Sequence, residues 1–239
     1  RSIKNTSNNV DANIIVFSLE DEPSKRLLSF CEENKIPMVC LLMMGLRTYL
    51  QKFNNEDDVS IMSTVARRAT LAEKYSGGTR VHCFPCRTIL DRDLTFIEGL
   101  EKIREAQNSL FRHANYNPVD YLDFRARTYS NKPGETYEPL SLTYQPLTMK
   151  EASPRAGQTV DFSGIDYKTN WYSNGACAHA LYLTVMHRSN DNGLNFNFEY
   201  QTGIVTKEKL EYMYYYICKI LFEGIKNPYK TIGEIIEGV

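Results

Sequence analysis

Apolar and polar residues alternate with regular periods along most of the chain, and they predict interspersed strands and helices. Asn13 to Leu19 is a short apolar run rich in β-branched and aromatic residues, which is typical of a buried strand. A first helix is predicted from Pro23 to Lys35, and a second from Met38 to Phe53. The first turns of the second helix are apolar on nearly every side. We therefore expect this helix to lie at the centre of the core.

Two further strands are predicted in the middle of the chain. Asp57 to Ala66 is one, and Thr79 to Leu90 is the other. Because proline cannot donate a hydrogen bond to a neighbouring strand, the second strand is expected to be broken or bulged at Pro85. The polar residues between the two strands, 67–78, predict a loop.

An amphipathic pattern from Leu94 to Phe111 predicts a long helix, with Asp93 as its N-cap. Another helix is expected to begin at Pro118. From Tyr129 to Gly175 the sequence is rich in turn residues, and only Leu140 to Leu147 predicts a strand there.

The last quarter of the chain predicts a β-hairpin followed by a helix. Ala180 to His187 and Leu194 to Gln201 alternate with a period of two, and a turn sequence joins them. In the second strand, the residues of one face are expected to be buried: Leu194, Phe196, Phe198 and Tyr200. Thr206 is placed to cap a helix through Ile225. The whole order of elements predicts an α/β fold, an α+β two-layer sandwich with helices on one side of a mixed sheet.

Composition narrows the possible environments and partners. The 239 residues include 28 basic and 29 acidic side chains, so no basic field predicts binding to nucleic acid or to a membrane. The longest near-apolar run, Met38 to Leu46, is far shorter than the roughly 20 residues that span a bilayer. The first residues lack the apolar core of a signal peptide. We expect a cytoplasmic protein whose six cysteines are free thiols.

Residue types that often carry chemistry favour structural roles in this sequence. Cys83 and Cys86 have Cys-x-x-Cys spacing, but within a strand they would point to opposite faces, so we expect neither a redox pair nor a zinc site. The four histidines, His82, His113, His179 and His187, are predicted to be structural, and His82 is the most interesting because it follows a glycine-rich loop. Neither a Gly-x-Ser-x-Gly elbow nor a phosphate-binding loop is present.

The two ends of the chain resemble the condensation domains of nonribosomal peptide synthetases. At the C-terminal end the shared steps are Tyr200-Gln201, the helix over 206–225, Asn227-Pro228 and a final segment at 232–234. At the N-terminal end, ENKIPMVCLLMMGLRTYLQKFNNEDDVSIMSTVARR is similar to two helices, an Asp-Asp-Val strand and an Ala-x-Arg run of the family. The resemblance covers essentially residues 13–236. It implies a lobe with a chloramphenicol-acetyltransferase-like fold over residues 13–239, preceded by a linker over residues 1–12.

The internal motifs of the family are only partly retained. Its fifth motif, about Gly-x-Phe-Val-Asn-Thr-x-x-x-Arg, is matched at Gly78, Val81 and Arg87, whereas His82 replaces the asparagine. The sixth motif is represented by His113, and Pro139-Leu140 remains of the seventh. The resemblance implies that these positions are structural or line a substrate tunnel. It also implies a divergent member of the family.

The family's catalytic motif, His-His-x-x-x-Asp-Gly, does not occur in the sequence. Since that motif lies in the first half of a condensation domain, the resemblance implies that this chain is the C-terminal lobe and supplies no catalytic residue. Its partners would be the N-terminal lobe, peptidyl carrier proteins and a neighbouring adenylation domain. No cofactor would bind directly, because phosphopantetheine arrives on the carrier proteins. The complete domain joins an acyl or peptidyl donor to an aminoacyl acceptor as an amide, and we expect the fragment alone to be inactive.

Two other functions stay open at this stage. The chain could be half of an acyltransferase that uses coenzyme A and an alcohol or amine, although Asp161-Phe-Ser-Gly164 only faintly resembles the Asp-Phe-Gly-Trp-Gly of such enzymes. It could also be a non-catalytic platform, related to condensation domains, that docks carrier proteins or recruits other enzymes.

Overall fold

A computed structural model describes residues 10–68, 70–129, 139–147, 171–188 and 193–239. Within these residues the chain alternates strands and helices as the periodicity predicts. The strands are β1 (Ala12–Leu19), β2 (Asp58–Val65), β3 (His82–Ile89), β4 (Leu140–Leu147), β5 (Leu181–Arg188) and β6 (Leu194–Gln201). The helices are α1 (Asp21–Glu33), α2 (Met38–Asn54), α3 (Leu71–Tyr75), α4 (Phe96–Arg112), α5 (Pro118–Tyr129), α6 (Lys207–Lys226) and α7 (Ile232–Gly238).

The six strands form one mixed sheet in the order β1-β6-β5-β4-β2-β3. β2, β4 and β5 run parallel to one another, whereas β1 pairs with β6, β6 with β5 and β3 with β2 in antiparallel fashion. The predicted α/β class with a mixed sheet is confirmed. Because β2, β4 and β5 are parallel, their last residues lie at one edge, here called the carboxyl edge. Their first residues lie at the opposite, amino edge.

Helix α2 lies at the centre of the core, as its apolar first turns predict. Leu41, Leu42, Met43 and Met44 are each at most 1% exposed. The helix packs against α4 and α6 on one side and against β2 and β4 on the other. Gly45 allows the approach of α6, since a Cβ atom at this position would lie 2.8 Å from Leu221. Burial of so much apolar surface is the main source of stability in a domain of this size.

The predicted N-cap of α4 is wrong by two residues. Thr95, not Asp93, caps the helix: the Glu98 backbone N–H donates to Thr95 Oγ1, and the Thr95 backbone N–H donates to the Glu98 carboxylate. This reciprocal pair is a capping box, which satisfies two orphan N–H groups at once. The Asp93 N–H donates instead to the Asp91 side chain in the preceding turn. At α6 the prediction of Thr206 as N-cap is confirmed.

Strand β3 is not broken at Pro85, contrary to the prediction. Pro85 lies opposite Met62 in an uninterrupted antiparallel register. The reason is that β3 is the outermost strand of the sheet, so one side of its backbone has no neighbouring strand. Pro85, which has no backbone N–H, can direct that position to the unpaired side. Two short helices, α3 and α7, were not predicted. Both begin with a capping box, Thr70 with Glu73 and Thr231 with Glu234.

The hairpin of β5 and β6 is confirmed, but both faces of β6 are more buried than predicted. Phe196 and Phe198 are fully buried among the helices, as expected. On the opposite face Asn197 is also buried and donates to the Thr184 carbonyl at 3.0 Å. Gln201 is 0% exposed and donates to the Cys177 carbonyl at 2.6 Å. Hydrogen bonds of this kind allow polar side chains to be buried at little net cost.

The six cysteines are free thiols, and most of them lie in apolar surroundings. Burial raises the pKa of Cys31 and Cys40 to about 12 and that of Cys86, Cys177 and Cys218 to about 11. These five thiols are therefore protonated at neutral pH and are poor nucleophiles. In the part of the chain that the structure describes, no helix has both the length and the apolar character that a bilayer crossing requires.

Candidate functional site

The two faces of the sheet differ sharply in chemistry. The face toward α1, α2, α4, α6 and α7 carries the apolar core, and Ser63 on this face accepts a hydrogen bond from Gln107 of α4. By the alternation of side chains along a strand, the opposite face carries mostly hydroxyl and amide groups. We call it the polar sheet face; its polar residues are Ser18, Asp58, Ser60, Thr64, Cys83, Arg87, Ser141, Thr143, Gln145, Tyr182, Thr184, Asn195, Asn197, Glu199 and Gln201.

Hydroxyl groups meet at the middle of the polar sheet face. Thr64 Oγ1 of β2 and Thr143 Oγ1 of β4 are 2.6 Å apart, and Cys83 Sγ lies 3.6 Å from Thr64 Oγ1. Ser141 is 1% exposed, and its hydroxyl has no hydrogen-bond partner among the described residues. A buried, unpaired hydroxyl is unfavourable unless another group comes to satisfy it. Thr64 and Thr143 are partly exposed, so their hydroxyls can donate to, or accept from, an amide or carbonyl group.

Among the described residues the polar sheet face carries two carboxylates: Asp58, which pairs with Arg87 at the amino edge, and Glu199. Ser173 Oγ donates to Glu199 Oε1 at 2.8 Å. Burial raises the pKa of Tyr182 to about 12, so its phenol stays protonated at neutral pH. Such a surface can orient a substrate. One histidine contacts it, since the His179 ring packs edge-on against Tyr182 with 4.8 Å between the ring centroids. General-base catalysis requires a base within about 2.6 to 3.2 Å of the proton that it removes.

Four of the predicted motif positions lie near the carboxyl edge. Gly78 has a φ of 87°, a left-handed conformation that favours glycine, and Val81 is exposed. His82 begins β3 opposite Val65, at the end of β2. His113 is the C-cap of α4, as its predicted place at the helix end implied. Ala114, the next residue, packs against Val65 and Phe84 and so brings this helix end to the same corner.

The remaining three motif positions, Arg87, Pro139 and Leu140, lie at the amino edge. They line a cavity of about 850 Å³. Its other walls come from the end of α2, the start of α6 and helix α5. Arg87 pairs with Asp58 through two hydrogen bonds, Nε to Oδ1 at 2.8 Å and Nη2 to Oδ2 at 2.5 Å. This bidentate pair ties the last part of β3 to the first residue of β2.

The structure thus divides the predicted motif positions between two edges of the sheet, and their structural or tunnel-lining roles stay predictions. Cys83 lies on the polar sheet face, whereas Cys86 is buried in the core, so the two thiols do not form one site. Asp161 to Gly164 lies outside the described residues. Within the described residues no group of three or more His, Cys, Asp or Glu side chains is arranged to hold a metal ion.

The hydroxyl groups of the polar sheet face were missed by the sequence analysis. A signal was available, because polar residues alternate with apolar ones at the start of β2 (DVSI) and again at the start of β4 (LSLT), although Met62 and Ser63 reverse the pattern within β2. Alternation of this kind marks a strand whose second face is not part of the apolar core. What the pattern does not show is that β2 and β4 are neighbours, which brings Thr64 to Thr143.

The Arg87–Asp58 pair predicts a specific pH dependence of stability. Hydrogen bonding from Arg87 lowers the pKa of Asp58 in the folded state. The stabilisation is therefore present above the ordinary pKa of an aspartate and is lost as the pH falls through the lower, folded-state pKa. Urea unfolding of the parent chain and of Asp58→Asn between pH 2 and pH 7 should show a small stability difference that disappears at the acid end. Both side chains are about half exposed, so the effect is screened by salt.

Glu56→Gln provides the matched control for that measurement. Glu56 is an exposed acid two residues away that also lines the cavity. Its substitution should leave the pH profile of stability parallel to that of the parent chain. If Asp58→Asn gave the same profile as Glu56→Gln, the ion pair would not contribute to stability in solution.

Comparison with known proteins gives one consistent family. The family profile described as Condensation domain matches residues 1–236. A plipastatin synthase polypeptide of Bacillus subtilis (strain 168) is 27% identical over 234 residues, which are 98% of this chain and 9% of that protein. Bacitracin synthase 3 of Bacillus licheniformis is 22% identical over 241 residues, 95% of this chain and 3% of that protein.

Solved structures share the fold at low sequence identity. The first condensation domain of the calcium-dependent antibiotic synthetase, in complex with a substrate analogue, has a TM-score of 0.74 at 16% identity, covering 95% of this chain and 47% of that one. The X-domain from teicoplanin biosynthesis has a TM-score of 0.72 at 17% identity, covering 97% and 52%. The chain thus spans about half the length of these solved domains and less than a tenth of the curated relatives it matches.

Proposed function

The chain belongs to the condensation domain family of nonribosomal peptide synthetases, and on that premise we propose that it is the C-terminal lobe of such a domain. In this role its polar sheet face forms one wall of the cleft in which an acyl or peptidyl donor is joined to an aminoacyl acceptor. The proposal rests on how much of each of the two chains the structural match covers. The match takes in 95% of this chain but only 47% of the first condensation domain of the calcium-dependent antibiotic synthetase.

The chemistry of the polar sheet face fits a supporting role in amide formation. The acceptor amine attacks the thioester carbonyl, the new C–N bond forms, the C–S bond breaks, and the amine loses a proton to a base while the thiol leaves. Thr64 and Thr143, which are partly exposed, can bind the amide and carbonyl groups of such substrates. Correct positioning of two reactants accounts for a large part of the rate enhancement of an enzyme.

The base for this reaction would come from another part of the domain. The sequence has four histidines and no two of them are adjacent. His113 is exposed at the end of α4, and His82 begins an edge strand. We therefore assign no catalytic residue to this chain and expect it to be inactive alone.

The proposal also names partners. The N-terminal lobe of the same domain would be a permanent partner. Peptidyl carrier proteins would deliver both substrates on phosphopantetheine arms. A relative of known structure, a four-domain nonribosomal peptide synthetase bound to AMP and glycine, matches 98% of this chain over 18% of its own length. Because that relative contains four domains in one chain and binds AMP, it supports our proposal that an adenylation domain neighbours this lobe.

A non-catalytic docking platform is a second candidate, and one observation favours it. The X-domain from teicoplanin biosynthesis has been solved in complex with OxyB. The match to that structure has a TM-score of 0.70 and covers 97% of this chain and 50% of that one. The condensation-domain fold therefore supports the binding of another protein. In that case the polar sheet face would not accept a thioester substrate.

A fusion protein separates the two candidates. The half of the first condensation domain of the calcium-dependent antibiotic synthetase that this chain matches is replaced by residues 1–239. Amide formation from loaded carrier proteins is then measured for the fusion, for the intact domain and for this chain alone. We expect turnover by the intact domain and by the fusion, and none by the chain alone.

Two results would contradict the proposal. Turnover by the chain alone would show that it carries its own base. A fusion that unfolds cooperatively on heating yet forms no amide would favour the docking platform. The double variant Thr64→Val and Thr143→Val in the fusion tests the polar sheet face, because it removes both members of one hydrogen bond. We expect reduced turnover, with thermal stability close to that of the unsubstituted fusion. Ser109→Ala, on the exposed side of α4, serves as the control.

A further inference from the structure

Arg67 has an unusual backbone conformation at the carboxyl edge of the sheet. Its φ is 51°, in the left-handed region that an L-residue other than glycine enters only at a cost of about 1–3 kcal/mol. Lys35 and Asn55 have similar values, but both directly follow the ends of helices, where this conformation is common. Arg67 follows a strand instead, so the usual explanation does not apply to it.

Two other arginines of the loop between β2 and β3, Arg68 and Arg80, form hydrogen bonds within the loop. Arg68 Nη1 donates to the carbonyls of Glu73 and Ser76 at 2.6 and 2.7 Å, and its Nη2 donates to the Gly78 carbonyl at 2.8 Å. Arg80 donates through Nε to the Arg67 carbonyl at 3.2 Å and through Nη2 to Glu73 Oε1 at 2.8 Å. These bonds fix the loop and hold the backbone of Arg67 in place.

The side chain of Arg67 has no such role. Within the described residues its buried Nε atom has no hydrogen-bond partner and its guanidinium forms no ion pair. A buried N–H without a partner costs about 1–3 kcal/mol. The residue as a whole is only partly buried, so its guanidinium is not sealed from solvent. Arg67 thus combines two unfavourable features. The hydrogen bonds of the loop hold its backbone in the left-handed conformation, but no described contact satisfies its Nε.

The position of Arg67 is one where ligands bind in open α/β sheets. It lies two residues beyond Val65, the end of β2, and Val65 lies opposite His82. Ligands of such sheets bind outside the carboxyl ends of the parallel strands. The loop over residues 66–81 carries four basic side chains, Arg67, Arg68, Lys74 and Arg80, and one carboxylate, Glu73, which pairs with Arg80, so the local charge is positive.

We propose that the Arg67 guanidinium binds an oxyanion at the carboxyl edge, namely the phosphate group of a phosphopantetheine arm. A planar guanidinium can donate two parallel hydrogen bonds to a phosphate, which would satisfy the buried Nε. The identity of the ligand rests on the proposed function, since carrier proteins bring such arms to this lobe. The anion site itself rests only on the geometry of the loop.

Binding of 4′-phosphopantetheine and of pantetheine to residues 1–239 tests the proposal, because the two compounds differ by the phosphate. Titrations followed by NMR or calorimetry should give a dissociation constant about tenfold lower for the phosphorylated compound, as expected for a charge-assisted hydrogen bond. Arg67→Gly should abolish this preference. Lys74→Ala, which removes one positive charge from an exposed position of α3 in the same loop, should retain it.

Thermal stability provides the second readout. Glycine adopts a φ of 51° without strain, so Arg67→Gly should unfold at a higher temperature than the parent chain even though it loses the ligand preference. Equal preference in Arg67→Gly and the parent chain, or no preference in either, would overturn the proposal. Retained Arg67-dependent binding together with an inactive fusion protein would instead overturn the proposed function and leave the anion site standing.

Discussion

Replacing Gly224 by alanine should lower the free energy of unfolding by about 3 kcal/mol, at the upper end of what overpacking a core costs. A Cβ atom on Gly224 would lie 2.3 Å from one ring carbon of Phe96 and 2.5 Å from two others. Phe96 is 0% exposed and is the first residue of α4, so its ring cannot swing out into solvent to avoid the added methyl group. For a chain of this size the melting temperature should fall by about 6–12 °C.

The sign of this effect separates packing from helix propensity. Gly224 lies within α6, where alanine is intrinsically favoured over glycine by about 1 kcal/mol. If propensity dominated, Gly224→Ala would be stabilising. Gly203→Ala is the control, because no atom lies within 4 Å of its added Cβ, and it should change the melting temperature little. The double variant Gly224→Ala and Phe96→Leu should be more stable than the sum of the single variants predicts, since the smaller side chain removes the clash.

The elements that the sequence predicts well are those whose signal is local. α2 begins at Met38 as predicted, because its apolar residues recur with the helical period over four turns. β6 spans Leu194 to Gln201 as predicted, because strict alternation leaves no other register for its aromatic residues. The N-cap of α4 was also readable, in the Thr95-x-x-Glu98 spacing. By residue type alone, Asp93 is as good an N-cap as Thr95. Only the glutamate three residues after Thr95, which completes a capping box, distinguishes the two positions.

The candidate site could not be predicted in the same way, because it depends on strand order. His82 and Arg87 are five residues apart within one motif, but along a strand this is about 16 Å, so they lie at opposite edges of the sheet. Arg87 shares a cavity instead with Leu140, since β4 lies beside β2 and both begin at the amino edge. Parallel pairing between strands separated by a long stretch of chain leaves no local pattern in the sequence.

The polar sheet face also depends on strand order, so the sequence did not predict it. Ser141 and Thr143 are ordinary hydroxyl residues in a predicted strand, and Thr64 belongs to another strand far away in sequence. Only the adjacency of β2 and β4 makes them one surface. Residues of this type are hydrogen-bonding groups without titratable chemistry, so a search for perturbed acids and bases does not find them.

Arg47 is the second position at which we expect a large loss of stability. Its side chain is 0% exposed, and it donates through Nη1 to Gln51 Oε1 at 2.7 Å and through Nη2 to the Asp57 carbonyl at 2.8 Å. Gln51 continues the network to the Asp57 carboxylate and to the Leu90 carbonyl, at 2.7 and 3.0 Å. The network therefore ties α2 to the start of β2 and the end of β3, beside the Arg87–Asp58 pair.

Arg47→Ala should lower the free energy of unfolding by about 3–5 kcal/mol, because it leaves two buried acceptors unpaired, at about 1–3 kcal/mol each, and opens a cavity. Burial lowers the pKa of Arg47 to about 10, so the residue is still charged at neutral pH and its partners depend on its N–H groups. Arg47→Lys should also destabilise, though less, because one ammonium group cannot reproduce the two diverging donors of the guanidinium. Urea unfolding followed by circular dichroism measures both effects.

Arg104→Ala is the matched control for this prediction. Arg104 is a partly exposed arginine of α4 paired with Glu101 one turn away, and such surface pairs contribute about 0–1 kcal/mol. A loss for Arg47→Ala within about 1 kcal/mol of that for Arg104→Ala would show that the buried network adds little to stability. If Arg47→Ala is strongly destabilised, as we expect, the amino edge of the sheet is held mainly by α2 rather than by the exposed Arg87–Asp58 pair.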